Sequence, residues 1–594
     1  MRAVTLFASS LVGLGLALWA WGCGPSSKVE RDSQPRLRID EEIQHLVRAR
    51  GASLGLTDTV GMERTWDQLA ELYAERHHRP VWSNGRRARR QAHQLLDAIR
   101  RTEEAGLEPS DYDIEHLASL LAQAGRTSEA VERARPRTMA RFDLLATYSF
   151  LRVVGHLREG RVPRAALDPD WVLDTLDSDR VKRTLGQDPS DFFANREPSH
   201  DGYRRLRTVL ARYRAISASG GWPEVPAGPL LKLGARDPRV PLLVRRLVIG
   251  GDFRMTGGDT VFDHRLERAI GNLQARLGIP VSGLVGEATR AALNVPVEQR
   301  IRQIELNLER WRWLPDELGR RLVEVNIPAY RLSLIQDGRI TRSMRVVVGR
   351  RRSPTPVFSD RITYLEVNPT WTLPPSVVEK EIVQALKRDR DYLGKNHMRV
   401  VSIADAKRDT VDPGKVPWKL AASDSFPYLV IQEAGPANPL GSIKLMCPNE
   451  YDVYLHDTPV RSRFSVAVRD YSHGCVRIEH AIELADSLMR RQPEDTLQLD
   501  SLAALGSWKR IRLPEPVPVH FLYWTAWVDS AGRLNYRDDL YGLDQRLDEA
   551  LRNRRARDLV VNPGVEISPF WAASEARMQR AAAVRLKESR AAGR

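Results

Sequence analysis

Three residues in this sequence are equipped for covalent chemistry: Cys475, His473 and His456. They sit in two runs, Ser472-His473-Gly474-Cys475-Val476-Arg477 and, upstream, Tyr454-Leu455-His456-Asp457. A thiol is a useful nucleophile near neutral pH only where a base or a positive environment favours its thiolate. His473 stands two residues before the sulfur and His456 nineteen before it. The intervening stretch contains Asp457-Thr458-Pro459 and can return as a hairpin or loop, bringing His456 beside Cys475. That pairing predicts a thiol pKa below the free value of about 8.5. Gly474 admits close backbone approach to a substrate. The amide N–H groups around Gly474 and Cys475 are candidates for facing a developing oxyanion. Arg477 offers a planar fork for a carboxylate.

Two plainer readings compete. A lone cysteine in a β-rich region is usually a small buried hydrophobe, and a His-x-Cys pair can be half a metal site. Zinc would need two further ligands at clear spacing, and a second His/Cys pair is absent, so neither a metal nor a cofactor is predicted. Cys447 lies in Leu445-Met446-Cys447-Pro448, which reads as apolar packing.

The elements that position these residues come from the rest of the chain. Its 594 residues suit several units rather than one. Three cysteines, Cys23, Cys447 and Cys475, are too few for a disulfide-stapled scaffold. At 42% hydrophobic and 28% charged the chain can bury sizeable cores. The 91 Lys+Arg against 76 Asp+Glu give a net charge of +15, spread as interleaved Arg through every segment. Met1-Arg2, an apolar run to Trp21 and then Gly22-Cys23 predict a secretory signal over 1–22. Cys23 after a small residue suggests a lipid anchor; an uncleaved membrane anchor is the alternative. Either way the body is expected in the cell envelope or periplasm, tethered to a membrane, with nucleic acid excluded as a partner. Residues 23–60 are polar and predict a flexible tether.

Apolar residues at three- and four-residue steps, such as Trp66, Leu69, Leu72 and Tyr73, predict a helical scaffold over 61–255. A compact helical unit follows at 256–302, its first helix starting near Phe262 and stopping at Gly278. From about residue 320 the period changes to two, as in Val323-x-Val325-x-Ile327. This predicts a β-rich domain over 320–505, interrupted by an insertion at about 372–420. Residues 506–594 are expected to form a C-terminal scaffold segment closing in a basic tail. The fold class is therefore multidomain α+β: a helical scaffold, a small helical module and a β-rich domain with an insertion.

The wording of these segments resembles one family. The run from Leu273 to Leu293 is similar to the three-helix peptidoglycan-binding domain. His456, fifteen residues (457–471), then Ser472-His473-Gly474-Cys475-x-Arg477 resembles the motif of L,D-transpeptidases of the YkuD type. Gly435 to Lys444, Asn368-Pro369-Thr370-Trp371, Arg310 to Pro315 and Thr525-Ala526-Trp527 resemble the large YcbB branch. The resemblance implies that Cys475 attacks a donor tetrapeptide stem, releases D-Ala and forms an acyl-enzyme. An acceptor amine then resolves it as a 3→3 crosslink. It implies His456 as general base, oriented by a backbone carbonyl, with His473 and Gly474 shaping the catalytic site. Ser472, Tyr454, Asn449, Arg477 and Trp371 are implied on the substrate side, the last in an insertion that caps a catalytic domain. The resemblance also implies three helices in the small module. Stem peptides are the implied partners, with cell-wall synthases as accessories. Hydrolysis of the same acyl-enzyme, attachment of a lipoprotein to the wall, and a non-catalytic wall-binding scaffold stay open.

Overall fold

The computed structural model describes residues 38–552, except 51–53, 55–61, 85–86, 163–187, 255–259, 404–408, 424–425 and 491–497. The predicted signal over 1–22, Cys23 and the basic tail from 553 lie outside the described residues.

Periodic apolar residues build the N-terminal scaffold around the long helix Glu129–Glu159. Its core includes Trp66, Leu69, Tyr73, Ile99 and Leu145. At its centre the buried Asp143 carboxylate accepts Tyr73 Oη (2.6 Å) and the amides of Val81 (2.6 Å) and Trp82 (2.8 Å). The tether expected over 23–60 is corrected in part. Ile39–Arg48 is a helix whose Ile43 and Leu46 are buried in this core, because its apolar residues share one face.

The small module starts earlier than its expected boundary at 256. Val225, Leu231, Val240, Leu243 and Leu247 share one core with Phe262, Leu266, Ile270 and Leu293. Its three helices are Arg239–Gly250, His264–Leu277 and Glu287–Leu293. Asp263 caps the second by accepting the amides of Arg265 and Leu266.

The β-rich domain is a nine-stranded sheet. Its strands are β1 (Arg321–Asn326), β2 (Arg331–Gln336), β3 (Arg339–Gly349) and β4 (Phe358–Val367), then β9 (Ile443–Met446), β10 (Leu455–His456), β11 (Asp470–Ser472), β12 (Val476–Ile478) and β13 (Lys509–Leu522). The order is β11-β3-β12-β10-β9-β4-β13-β1-β2, and β2 also pairs with β3, so every strand but β11 joins a closed ring. Inward residues such as Val323, Val348, Leu365, Leu445, Leu455 and Val476 form its core with Leu484 and Leu488 of a covering helix.

Here the expected boundary at 505 fails. β13 is an interior strand, parallel to β1 and antiparallel to β4. The residues after it, Trp524, Ala526 and Tyr536, pack on the helices Asp201–Ala218 and Val297–Arg312, with Trp311 stacked on Trp524 at 4.5 Å. The C-terminal segment thus fastens the sheet to the scaffold.

The insertion is a subdomain wider than 372–420. β5 (Trp371–Thr372), β6 (Met398–Ser402), β7 (Thr410–Val411) and β8 (Tyr428–Gln432) form a sheet in the order β5-β8-β6-β7. Leu373, Val378, Ile382, Val400 and Val430 fill its core. It leaves the main sheet after β4 and returns before β9.

Candidate active site

Strand register assembles the site. Parallel pairing of β10 with β12 puts Leu455 opposite Val476 and His456 opposite Arg477. Leu455 and Val476 are fully buried in the sheet's core. Side chains alternate along a strand, so Tyr454, His456, Cys475 and Arg477 share the other face. The two predicted runs therefore lie on adjacent parallel strands.

His456 is 4% exposed, and its Nδ1 lies 2.6 Å from the backbone oxygen of Asp457. A carbonyl only accepts, so Nδ1 carries the proton and the lone pair sits on Nε2. Burial, then the Arg477 guanidinium, holds the imidazole pKa down to about 3. The ring is a neutral base over the physiological range.

The Cys475 sulfur lies 3.6 Å from the backbone oxygen of Asp452 and is also hydrogen-bonded by the backbone and hydroxyl of Tyr454. The expected fall in its pKa does not occur. Burial pushes the thiol above its ordinary value, and the Tyr454 hydrogen bonds and the Lys444 charge offset only part of that rise. The resting group is a protonated thiol, on the same sheet face as the neutral His456.

The motif turn is built by short polar contacts. Ser472 is buried; its hydroxyl donates to Cys475 O (2.6 Å) and accepts the Gly474 amide (3.2 Å). Ser472 thus closes the motif turn, and the Gly474 N–H is spent within it. Gly474 has φ +122°, a backbone conformation that an L side chain rarely adopts. Its carbonyl accepts from Thr355 Oγ1 at 2.6 Å, and Thr355 Oγ1 also accepts the Gly349 amide at 2.9 Å. The amide of Cys475 is in none of the described backbone hydrogen bonds.

Asn449 builds the neighbouring loop. Its Nδ2 donates to Cys447 O (2.6 Å) and Val453 O (2.7 Å), while its Oδ1 accepts the amides of Tyr451 and Val453. This fixes the loop that presents Asp452 O to the sulfur. Cys447 is buried packing, as expected, its thiol 3.4 Å from Val453 O.

Trp371 pairs with Gln432 in the capping sheet and packs against that subdomain's own core. The cap instead reaches the motif through Glu381, on a π-helical turn at Val378–Ile382. Its carboxylate lies 3.0 Å from His473 Nε2. Arg350 also touches His473. His473 is thus half-exposed and faces the cap. The Arg477 guanidinium has no hydrogen-bond or ion-pair partner among the described residues, and its Nε is buried.

Sequence reasoning missed Asp457 as more than loop. Its buried carboxylate accepts the Ser442 amide (2.9 Å) and Arg461 Nη2 (2.6 Å), fixing the carbonyl that orients His456. Thr355 was also missed; nothing in Pro354-Thr355-Pro356 signals its link to Gly474. No group of three or more His, Cys, Asp or Glu among the described residues is placed to hold a metal ion.

The comparisons fit this geometry. Residues 320–496 match the model of the YkuD L,D-transpeptidase catalytic domain. The chain carries an L,D-transpeptidase catalytic domain. Residues 236–293 match the "Putative peptidoglycan binding domain" and residues 67–210 a scaffold domain. The first of these agrees with the module core that begins before residue 256. A Haemophilus influenzae protein named "Putative L,D-transpeptidase" is 31% identical over 248 residues, covering 42% of this chain. The chain spans about half the length of that curated relative, 49%. Two solved structures align weakly. The L,D-transpeptidase of Xylanimonas cellulosilytica is 15% identical with a TM-score of 0.17, covering 50% of this chain and all of its own. The Ldtfm-avibactam carbamoyl enzyme is 11% identical with a TM-score of 0.18, covering 54% of this chain and all of its own. At those scores neither carries a fold argument. The L,D-transpeptidase domain therefore rests on the family match, on the curated relative and on the motif's own register.

Proposed function

We propose that the protein is an L,D-transpeptidase that forms 3→3 peptidoglycan crosslinks through an acyl-enzyme on Cys475. The observation that carries this reading is one sheet face holding a thiol, a neutral imidazole with its lone pair on Nε2, and a guanidinium without a partner among the described residues. Cys475 Sγ attacks the carbonyl of the L-centre in a donor tetrapeptide as His456 Nε2 takes the thiol proton. The oxyanion accepts from the Cys475 amide and the Tyr454 hydroxyl. Collapse breaks the peptide bond, and the departing D-Ala amine takes the proton from His456. The side-chain amine of an acceptor stem then attacks the thioester, His456 removes its proton, and the thiol is regenerated. Arg477 is suited to a stem carboxylate, since a bidentate fork with no partner among the described residues favours a planar anion.

Burial and the Arg477 charge keep the imidazole neutral in the resting site, so it holds no proton before the cycle begins. It accepts a proton only transiently, when the sulfur or amine becomes acidic in the transition state. Export past a membrane, with Cys23 as the tether, and action in the periplasm are parts of the same proposal, as is glycan binding by the module at 236–293. The test uses tetrapeptide muropeptides with the full chain and mass spectrometry of products. 3→3 dimers that vanish in Cys475→Ala support the reading. Tripeptides alone, even with excess acceptor, would convert it to a carboxypeptidase; equal dimer yields from Cys475→Ala would overturn it.

A further inference from the structure

A row of polar side chains, all but His456 charged, crosses the sheet next to the motif. Register pairs Arg510 on β13 with Glu366 on β4, Glu366 with Lys444 on β9, Lys444 with His456 on β10, and His456 with Arg477 on β12. These residues share one face, while their neighbours Leu365, Ile443, Leu445 and Leu455 point into the core. Arg510 Nη2 binds Glu366 Oε1 at 2.9 Å, a close ion pair. Lys444 Nζ stands 3.9 Å from Glu366 Oε2, beyond hydrogen-bond reach. It sits instead 4.0 Å from the centre of the Tyr454 ring.

The Lys444 side chain is only 14% exposed. Its ammonium has no hydrogen-bond acceptor among the described residues. Burying an ammonium with its donors unspent is costly, so a purely structural position would favour an apolar residue or a close pair. The Glu366 carboxylate is drawn toward Arg510, which leaves the ammonium's charge directed at Tyr454. That side chain is hydrogen-bonded to the Cys475 sulfur. The charged and titratable groups facing Lys444 are Glu366 and, behind it, Arg510, with Asp452, Cys475, Tyr454 and the neutral His456.

We propose that Lys444 is a positioning residue for the nucleophile: its buried ammonium holds the Tyr454 ring by a cation–π contact and supplies the positive charge that offsets an anionic Cys475 sulfur. Glu366 and Arg510 aim it from the next two strands. The cation–π contact fixes the hydroxyl that donates to sulfur and then to the oxyanion. The charge acts on the sulfur directly, opposing the rise that burial imposes on the thiol. The inference rests on Cys475 being the nucleophile.

The test is the pH dependence of Cys475 alkylation by iodoacetamide in the full chain, read by mass spectrometry of the Cys475 peptide. In Lys444→Met the midpoint should rise by about one pH unit, a roughly tenfold loss of thiolate below it. Lys444→Arg should stay within about threefold of wild type, since charge and ring contact survive. An unchanged midpoint in a folded Lys444→Met protein, checked by near-UV circular dichroism, overturns the proposal. Should that variant not fold, 13C-lysine NMR of the unmutated chain decides. The Lys444 Cε resonance should step at the thiol midpoint and lose that step in Cys475→Ser; no step in the unmutated chain overturns the proposal. Alkylation reads the sulfur and not crosslinking. A shifted midpoint without crosslinked product would sink only the transpeptidase reading, and crosslinking with an unshifted midpoint only this one.

Discussion

His456 supplies the sharpest quantitative prediction. Its imidazole is buried and its native pKa lies at about 3, against an ordinary value of 6.5. In the unfolded chain it binds a proton as pH falls through the ordinary value, and in the native state it does not. The native state therefore loses stability progressively from about pH 6.5 down to about pH 3, and keeps it above that window. At about pH 5 the unfolded site is protonated roughly thirtyfold in excess of its neutral form, while the native site is almost wholly neutral. The ratio corresponds to about 2 kcal/mol lost relative to neutral pH. The group is buried, so solvent screening gives little discount. Other depressed histidines, such as His520 at about 4, contribute similarly, so the comparison must be differential. Urea unfolding of wild type and His456→Gln, at about pH 7.5 and about pH 5, isolates the term. Wild type should lose about 2 kcal/mol more than the variant across that interval. Parallel losses would refute the buried neutral imidazole. The same state predicts that the acid limb of kcat/KM does not follow an ordinary histidine; a limb centred near 6.5 would show a solvated ring instead.

Three further outcomes follow from the motif turn and the two thiols. Gly474→Ala has room for its Cβ, the nearest atom being Pro354 O at 3.7 Å, but must hold φ +122°; a strain of about 1–3 kcal/mol should slow acylation of Cys475 by a tetrapeptide donor while the fold survives, as read by quenched-flow mass spectrometry. Thr355→Val removes the hydroxyl that joins Gly474 O to the Gly349 amide; the groups left unpaired should cost about 1–3 kcal/mol in chemical denaturation and slow the same acylation. Native alkylation should label Cys475 and spare Cys447, which is 1% exposed and whose thiol burial pushes far above its ordinary value; equal labelling in peptide mapping would contradict the packing assigned to it.

The sequence reading reached the site most closely where spacing alone carries geometry. Fifteen residues between His456 and Ser472 leave room for one return, and the two runs do lie side by side on β10 and β12. Residue type without partners proved weaker. The resemblance placed Ser472 and Asn449 on the substrate side, and neither their type nor their spacing signalled the turn hydrogen bonds they make two to four residues away. Asp457, Thr355 and Lys444 work through long-range pairing: 15 residues to Ser442 and 119 to Gly474 for the first two, and cross-strand register to Glu366 for the third. None of these separations leaves a periodic signal. Element types were legible from period and breakers, but domain edges were not. The helix Ile39–Arg48 follows polar residues, and β13 lies beyond the last residues that read as catalytic domain, because a closed ring draws its strands from distant segments. The thiol's direction was misjudged because burial, which sequence does not display, outweighs the neighbouring charges.

The central claim, that Cys475 is acylated by a donor stem with loss of D-Ala, is tested most directly by intact-protein mass spectrometry after quenching the full chain with a tetrapeptide donor in the absence of acceptor. The expected result is an adduct of donor mass minus D-Ala, mapped to the Cys475 peptide and absent in Cys475→Ala. An adduct on another residue, or D-Ala release at the wild-type rate from Cys475→Ala, would contradict it.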